Sequence, residues 1–281
     1  MHGYFVWDGS VIKVGNHYDM FASRWPTATT FPDGYRQHSE IVRAEAYRPE
    51  GPYLFKEVVI GGRAAGEWDS SSAHNPAIYK VGGTFVLFYI GSDIGSRYRQ
   101  IGIATAPSVA GPWTRRDKPL DLGLNVDANN PAAWIEPDGR VKLVWRTEDL
   151  RVLESTAKSF EGPYTLVNDN LWPQAKLEDF FIYKQGGAYH LIAEDNAGNL
   201  TGHDRKWGGS LISDDGMTRW RRAPEPVAYN DTIHWTDGTD LKTTRRERPW
   251  LFIENGDITY LFNAVFDGSR TWNQPVPLRA K

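Results

Sequence analysis

Apolar and polar residues alternate in short runs along the whole chain, and glycine-centred turns punctuate the runs. "AIYK" and "TFVLFYIG" flank Gly82, "AAWIE" and "VKLVW" flank Gly139, "FFIYK" and "AYHLIAE" flank Gly186, and "WLFIE" and "ITYLFNAV" flank Gly256. Each pair reads as a β-hairpin, because period-two alternation with β-branched and aromatic residues suits a pleated strand and glycine lets the backbone reverse. No segment sustains apolar spacing of three and four over ten or more residues, so the pattern predicts an all-β protein.

The pattern also repeats. The turns "KVGNHY" (Gly15), "KVGGTF" (Gly82), "EPDGRV" (Gly139), "KQGGAY" (Gly186) and "ENGDIT" (Gly256) head five similar units. A second phrase follows the hairpin in "AEAYRPEGPYLFKEV", "IATAPSVAGPWTRRD", "LESTAKSFEGPYTLV" and a looser "LISDDGMTRWRRAPE". It reads as a third strand, a Gly-Pro or Asp-Gly turn and a fourth, outer strand. Five units of four strands predict one domain over residues 1–281: a five-bladed β-propeller of four-stranded antiparallel blades around a central pocket. A β-sandwich is the architectural rival, but it leaves the five matching units unexplained. Only 25 residues follow Gly256, so "GYFVW" at the start is expected to supply a strand that closes the ring with the last blade.

Composition narrows the function. Trp 12, Tyr 13 and Phe 12 suit strands and also a surface that stacks against sugar rings. A formal charge of −3 without a basic block leaves no footprint for nucleic acid. The absence of cysteine removes disulfides, thiol nucleophiles and thiolate metal sites. No basic-then-apolar leader and no run of about 18 apolar residues is visible, which predicts a soluble protein with no membrane partner, cytoplasmic or secreted with its leader removed. Phosphate loops of the GxxxxGK type and nucleophile-elbow serines are absent, which argues against nucleotide binding and serine hydrolysis.

"HNPAIYKVGGTFVLFYIGS" and "IGIATAPSVAGPWTRRDKPL" resemble the strand pairs of the five-bladed propeller glycosidases, meaning glycoside hydrolase family 43 and its invertase-like and anhydrogalactosidase-like relatives. The resemblance spans nearly the whole chain. It implies that the innermost strand of each blade lines the pocket, with catalytic carboxylates at the start of that strand. Aligning "WDGSVIK", "HNPAIYK", "NNPAAWI", "EDFFIYK" and "ERPWLFI" stacks Asp8, Asn75, Asn130, Asp179 and Arg248 in one column. The preceding column holds Trp7, His74, Asn129, Glu178 and Glu247; the following one holds Gly9, Pro76, Pro131, Phe180 and Pro249.

Glycoside hydrolysis uses one protonated carboxyl and one ionised carboxyl. The resemblance implies that Asp8 is the base, that Asn130 stands at a supporting position and that Glu178 is the acid. Two departures follow. Asn130 stands where the family has Asp, so the Glu178 proton must be held by burial or by Asp179, and Phe180 stands where the family has Pro. Asp179 is thus either the tuner of Glu178 or itself the acid. Asp69, on a loop before Asn75, is an alternative base or a carboxylate capping its own loop. Arg248 can bind an acidic sugar or hydroxyls, or pair with Glu247 to brace the last blade. Arg24 and Trp25 are expected at the pocket mouth, with inter-blade packing the alternative for Trp25. His74 is expected to bind substrate or to hold Asn75. Some relatives use a histidine acid, which makes His203 and His234 remote candidates.

No histidines are spaced as in His-Glu-x-x-His, so no catalytic metal and no cofactor are expected. The resemblance leaves a structural calcium in the central channel open. The expected activity is a glycosidase acting on an oligo- or polysaccharide, exo-acting and inverting; the rivals are a non-catalytic carbohydrate-binding propeller and a glycoside phosphorylase using Arg248 and Arg24 for phosphate. The sugar, the linkage and the oligomeric state stay open. The loops "SRWPTATTFPDGYRQH" and "DNAGNLTGHDRKWGG" are expected to shape the pocket.

Overall fold

In a computed structural model, which describes residues 1–93, 96, 98–203 and 206–278, the strands follow one another in chain order around a ring. The first blade is β1 (Tyr4–Val14), β2 (His17–Pro26), β3 (Glu40–Ala46) and β4 (Leu54–Ile60), with a short helix α1 (Tyr35–His38) between β2 and β3. The second is β5 (Ser72–Val81), β6 (Thr84–Ser92), β7 (Gln100–Ala106) and β8 (Thr114–Arg115). The third is β9 (Asn129–Ile135), β10 (Val141–Arg146), β11 (Val152–Ala157) and β12 (Thr165–Asn168). The fourth is β13 (Leu177–Gln185), β14 (Ala188–Asp195), β15 (Trp207–Ser213) and β16 (Arg221–Tyr229). A ribbon of β17 (Thr232–His234) and β18 (Asp240–Lys242) precedes the last blade: β19 (Arg245–Glu254), β20 (Asp257–Phe266) and β21 (Thr271–Pro277). All pairs are antiparallel, and the fold is a five-bladed propeller.

The ring closes differently from the sequence expectation. The first strand contributes nothing to the last sheet, which has three strands; β1 is the innermost strand of its own blade. Side chains of the last blade clasp β1 instead. Thr271 Oγ1 accepts the Val6 N–H at 2.7 Å, and Asn273 Oδ1 accepts the Gly9 N–H at 2.8 Å.

Apolar faces of adjacent sheets pack together, which buries residues such as Phe88 and Trp145 between blades two and three and Phe21 and Leu87 between blades one and two. Aromatics close the lower end of the axis. The Trp250 ring lies 5.8 Å from Tyr79 and 5.0 Å from Phe181, and its Nε1–H donates to the Val11 carbonyl at 3.0 Å. The repeated Gly-Pro turns share one geometry: Gly51–Pro52, Gly111–Pro112 and Gly162–Pro163 are all cis.

Candidate active site

Each innermost strand breaks its ladder at the same place. The register skips at Trp7/Ser10, His74/Ala77, Glu178/Phe181 and Glu247/Trp250, and β9 skips between Asn129 and Ala132. At each break one non-glycine residue takes a left-handed backbone: Asp8 (φ 60°), Asn75 (60°), Asn130 (52°), Asp179 (58°) and Arg248 (57°). A bulge of this kind re-aims a side chain that would otherwise lie against a sheet face. L-residues pay about 1–2 kcal/mol for that backbone, so five in one ring mark a constrained floor rather than a chance pattern. The five residues are the aligned column of the sequence.

Arg248 ties the floor together. Its Nε lies 2.8 Å from Asp8 Oδ1 and its Nη1 2.9 Å from Asp179 Oδ1, ionic contacts without hydrogen-bond alignment. Asn130 Nδ2 donates to Asp179 Oδ1 at 2.8 Å, and Arg146 Nε donates to Asn130 Oδ1 at 2.5 Å. Asn130 Nδ2 also stands 3.5 Å from Asn75 Oδ1. Asp8 Oδ2 accepts from Ser23 Oγ and from His74 Nε2, each at 2.9 Å, while His74 Nδ1 faces Ser39 Oγ at 2.9 Å.

The charges on the two floor carboxyls diverge. Burial raises the Asp8 pKa, but Arg248, His74 and Ser23 together outweigh it and hold the group at about 2. Burial pushes Asp179 up to about 8; Arg248 opposes this, and the carboxylates of Glu178, Glu247 and Asp8 reinforce it. Glu178 goes the other way. Burial raises it, and Arg146, Arg248, Lys206 and Asn196 pull it below the ordinary range. Burial lowers the His74 pKa despite the adjacent Asp8, so the ring is neutral at pH 7 and its Nε2–H donates to Asp8.

A pocket of about 290 Å³ opens above Arg248 and Asp179. One wall is aromatic: Trp7, Trp25, Phe31 and Tyr35, with Phe31 stacked on Trp25 at 5.8 Å and 10°. The facing wall is charged. Glu178 Oε2 pairs with Arg146 Nη2 at 2.9 Å, and Lys206 Nζ lies 2.7 Å from Glu194 Oε1, 3.4 Å from Glu247 Oε1 and 3.9 Å from Glu178 Oε1. Below the floor lies a hollow of about 30 Å³, lined by Asp8, Asn75, Asn130, Asp179 and Arg248 among others.

The structure brings Asp8, His74, Asn75, Asn130, Glu178, Asp179, Glu247, Arg248 and Trp25 to this pocket or its floor. Some take other partners than expected. His74 holds Asp8 rather than Asn75. Glu247 pairs with Lys206 and Arg245, and Arg248 turns to Asp8 and Asp179. Two candidates stand outside the lining. Asp69 is fully buried within blade two, accepting from Tyr89 Oη at 2.7 Å and pairing with Arg63 and Arg115 at 3.3 Å, so it faces the blade interior and not the substrate. Arg24 pairs with Glu40 at 2.6 Å and lies over the Tyr4 and Phe55 rings. The remote candidates also lie elsewhere: His203 stacks on Trp207, and His234 pairs with Asp240 in an exposed ribbon.

Sequence reasoning missed Arg146, Lys206, Arg99 and Tyr35. Arg146 ends β10, one strand away from the aligned column, and the others come from the long connections between strands, Tyr35 at the start of α1, where no strand periodicity marks a position. Both loops expected to shape the pocket reach it, 23–38 through Phe31 and Tyr35, and 195–209 through Lys206; positions 204 and 205 of the second lie outside the described residues. Asp179, Glu194 and Glu247 have ligand atoms within 4.8 Å of one another, and the Lys206 ammonium pairs with two of them, Glu194 and Glu247. Among the described residues, no helix is long and apolar enough to cross a membrane.

No protein-family model matches the chain. It is 26% identical over 145 residues to a protein of Aspergillus niger named "Probable arabinan endo-1,5-alpha-L-arabinosidase C", and the match spans 48% of this chain and 42% of that relative. The fold is similar to a family 43 β-xylosidase/α-arabinofuranosidase from a compost metagenome, solved with xylotriose (TM-score 0.73, 14% identity, 100% of this chain and 93% of that one). It is also similar to an endo-arabinase of Bacteroides thetaiotaomicron (0.71, 15%, 99% and 95%). A family 117 glycoside hydrolase of Zobellia galactanivorans matches likewise (0.71, 16%, 97% and 84%). At these identities the structural likeness shows the fold: that of the family 43 and related propeller glycoside hydrolases.

Proposed function

We propose that the protein is a glycoside hydrolase acting on arabinan- or xylan-type polysaccharides, cutting a terminal residue with inversion. The observation that carries this reading is Arg248 joining the Asp8 and Asp179 carboxyls, whose surroundings push their pKa values in opposite directions, under a pocket with one aromatic wall. Hydrolysis of a glycosidic bond needs one protonated and one ionised carboxyl. The named activities of the Aspergillus relative and the compost enzyme support the substrate class.

In this mechanism Asp179, not Glu178, gives its proton to the leaving oxygen as the glycosidic C–O bond breaks. A water adds to the anomeric carbon and passes its proton to Asp8; Asp8 then releases that proton to solvent and solvent returns one to Asp179, which restores both groups for the next turnover. The Arg248 guanidinium stands between the two carboxyls and holds them apart, and the inverting reading rests on that separation. Glu178, ion-paired with Arg146, is a contact for sugar hydroxyls. The pocket volume, just below the range of about 300–1,000 Å³ for ligand sites, supports action on a chain end.

Leaving-group dependence tests the assignment. Asp179→Asn should lose about 10²–10⁴-fold in kcat on arabino- or xylo-oligosaccharides and recover much of that on a dinitrophenyl glycoside, which needs no acid. Asp8→Asn should stay inactive on both. If Glu178→Gln shows the recovery and Asp179→Asn does not, Glu178 is the acid. A non-catalytic binding propeller would leave every substrate uncut.

A further inference from the structure

The central pocket is the inner end of a longer depression. It shares Arg36, Arg99 and Glu148 with a second hollow of about 170 Å³, and the second shares Gln37 and Asp93 with a third of about 460 Å³ that reaches Gly62, Ala65 and Ser71. Arg36 and Gln37 are consecutive on α1, so this helix forms one bank of the whole path. Blade two holds that bank in place. Ser72 Oγ donates to the Tyr35 carbonyl at 2.8 Å, Ser92 Oγ to the Arg36 carbonyl at 3.4 Å, and Arg99 Nη1 to Tyr35 Oη at 2.8 Å. Arg99 is itself fixed by Asp127, through Nε and Nη2 at 3.1 Å each.

The lining changes along the path. Among the lining residues, tryptophan and phenylalanine stand only in the central pocket; beyond it most lining side chains are guanidinium, carboxylate, amide and hydroxyl groups, joined by His38, Tyr98 and the small residues Gly62 and Ala65. Arg36 and Arg99 alternate with Asp93, Asp127 and Glu148, so the groove offers donors and acceptors without one prevailing sign. An apolar ligand would strand these groups, and a polyanion would meet the carboxylates. A chain rich in hydroxyls satisfies both kinds of group.

We propose that this groove along α1 and blade two binds the leaving-side sugar chain, at least two residues beyond the one held in the pocket. The inference rests on the glycosidase reading for which end of the chain lies where. Its test uses arabino- and xylo-oligosaccharides of two to six units, with the nitrophenyl monoglycoside reporting on the pocket by itself. Gln37 and Ala65 are exposed, so tryptophan at either position obstructs the groove without disturbing the core. The kcat/KM of the wild type should rise at least tenfold from dimer to tetramer. Gln37→Trp should abolish that rise, and Ala65→Trp should remove the gain only for the longest chains. A flat dependence on length, or a rise that survives Gln37→Trp, overturns the groove. If neither series is cut, calorimetric titration with the hexamers separates the two readings: binding lost in Gln37→Trp keeps the groove and rejects the hydrolase, and no binding by the wild type rejects both.

Discussion

Arg248 Nε, on the last blade, lies 2.8 Å from Asp8 Oδ1, on the first, so the contact at the heart of the site is also a clasp across the seam where the ring closes. Asp8 is 4% exposed. Removing the cation leaves a buried carboxylate without its partner, a change that costs about 3–5 kcal/mol. Arg248→Met should therefore lower the urea midpoint at pH 7 by a corresponding amount and abolish activity. Arg248→Lys should restore little of either, because a single ammonium cannot reach both Asp8 and Asp179 as the planar fork does. Unchanged stability in Arg248→Met would mean that the seam is held elsewhere.

The alkaline limb of the pH-rate profile follows from Asp179. With its pKa pushed up to about 8, kcat/KM should fall as pH rises through that value and the proton is lost. The charge on Glu178 is one cause of the elevation. Glu178→Gln should accordingly move the limb to lower pH, although it also removes a pocket contact and raises KM. A limb that stays in place would separate the titrating group from Asp179.

Much of this was legible in the chain. The five units show because each repeats a local pattern of alternation and turn, and the column of Asp8, Asn75, Asn130, Asp179 and Arg248 emerges from simple alignment. What the alignment lacks is the bulge: nothing in "WDGS" or "ERPW" announces a left-handed residue, since backbone conformation there answers to crowding at the axis. Partner choice across blades was equally hidden. Glu247 adjoins Arg248 in sequence, yet the left-handed backbone at the bulge re-aims the Arg248 side chain, which finds its acids on blades one and four. Asp69 misled for the opposite reason. It is near Asn75 along the chain, but Arg63, Arg115 and Tyr89 draw it into the blade interior. A count of residues after Gly256 says only that a strand is missing, and among the described residues the last blade manages with three.

Stability should depend on pH with opposite signs at the two floor carboxyls. Asp8 is depressed to about 2 from an unfolded value of about 3.9, so its contribution is complete above pH 4 and is lost as pH falls through 2. Asp179 is raised to about 8, so the protein is most favoured below pH 4 and loses stability as pH climbs toward 8, where the unfolded chain is ionised and the folded one is not. Asp179→Asn removes that loss. It should be more stable than the wild type at pH 8 and close to it at pH 4, by urea titration at both values, whereas Asp8→Asn should be less stable at both. A wild-type advantage over Asp179→Asn that grows toward pH 8 would mean that Asp179 is ionised in the folded protein.

Gly9 ties the fold to the chemistry at a single atom. In blades two, three and five the residue after the left-handed position is proline, which has no N–H to satisfy: Pro76, Pro131 and Pro249. Blade one has Gly9 instead, and its N–H is capped by Asn273 of the last blade at 2.8 Å. A Cβ at Gly9 would stand 2.6 Å from Asn273 Cγ, so the side chain that makes the cap would have to leave. Gly9→Ala should therefore cost about 1–3 kcal/mol, the range for overpacking, and should displace the neighbouring Asp8 from Arg248. The expected kinetic signature is a fall in kcat larger than the change in KM, because the pocket walls are untouched while the base moves. Asn273→Ala makes room for the new methyl but leaves the Gly9 N–H uncapped, so the double variant should regain part of the stability lost in Gly9→Ala. If Gly9→Ala instead matches the wild type in both melting and kcat, the Asn273 clasp does not position Asp8.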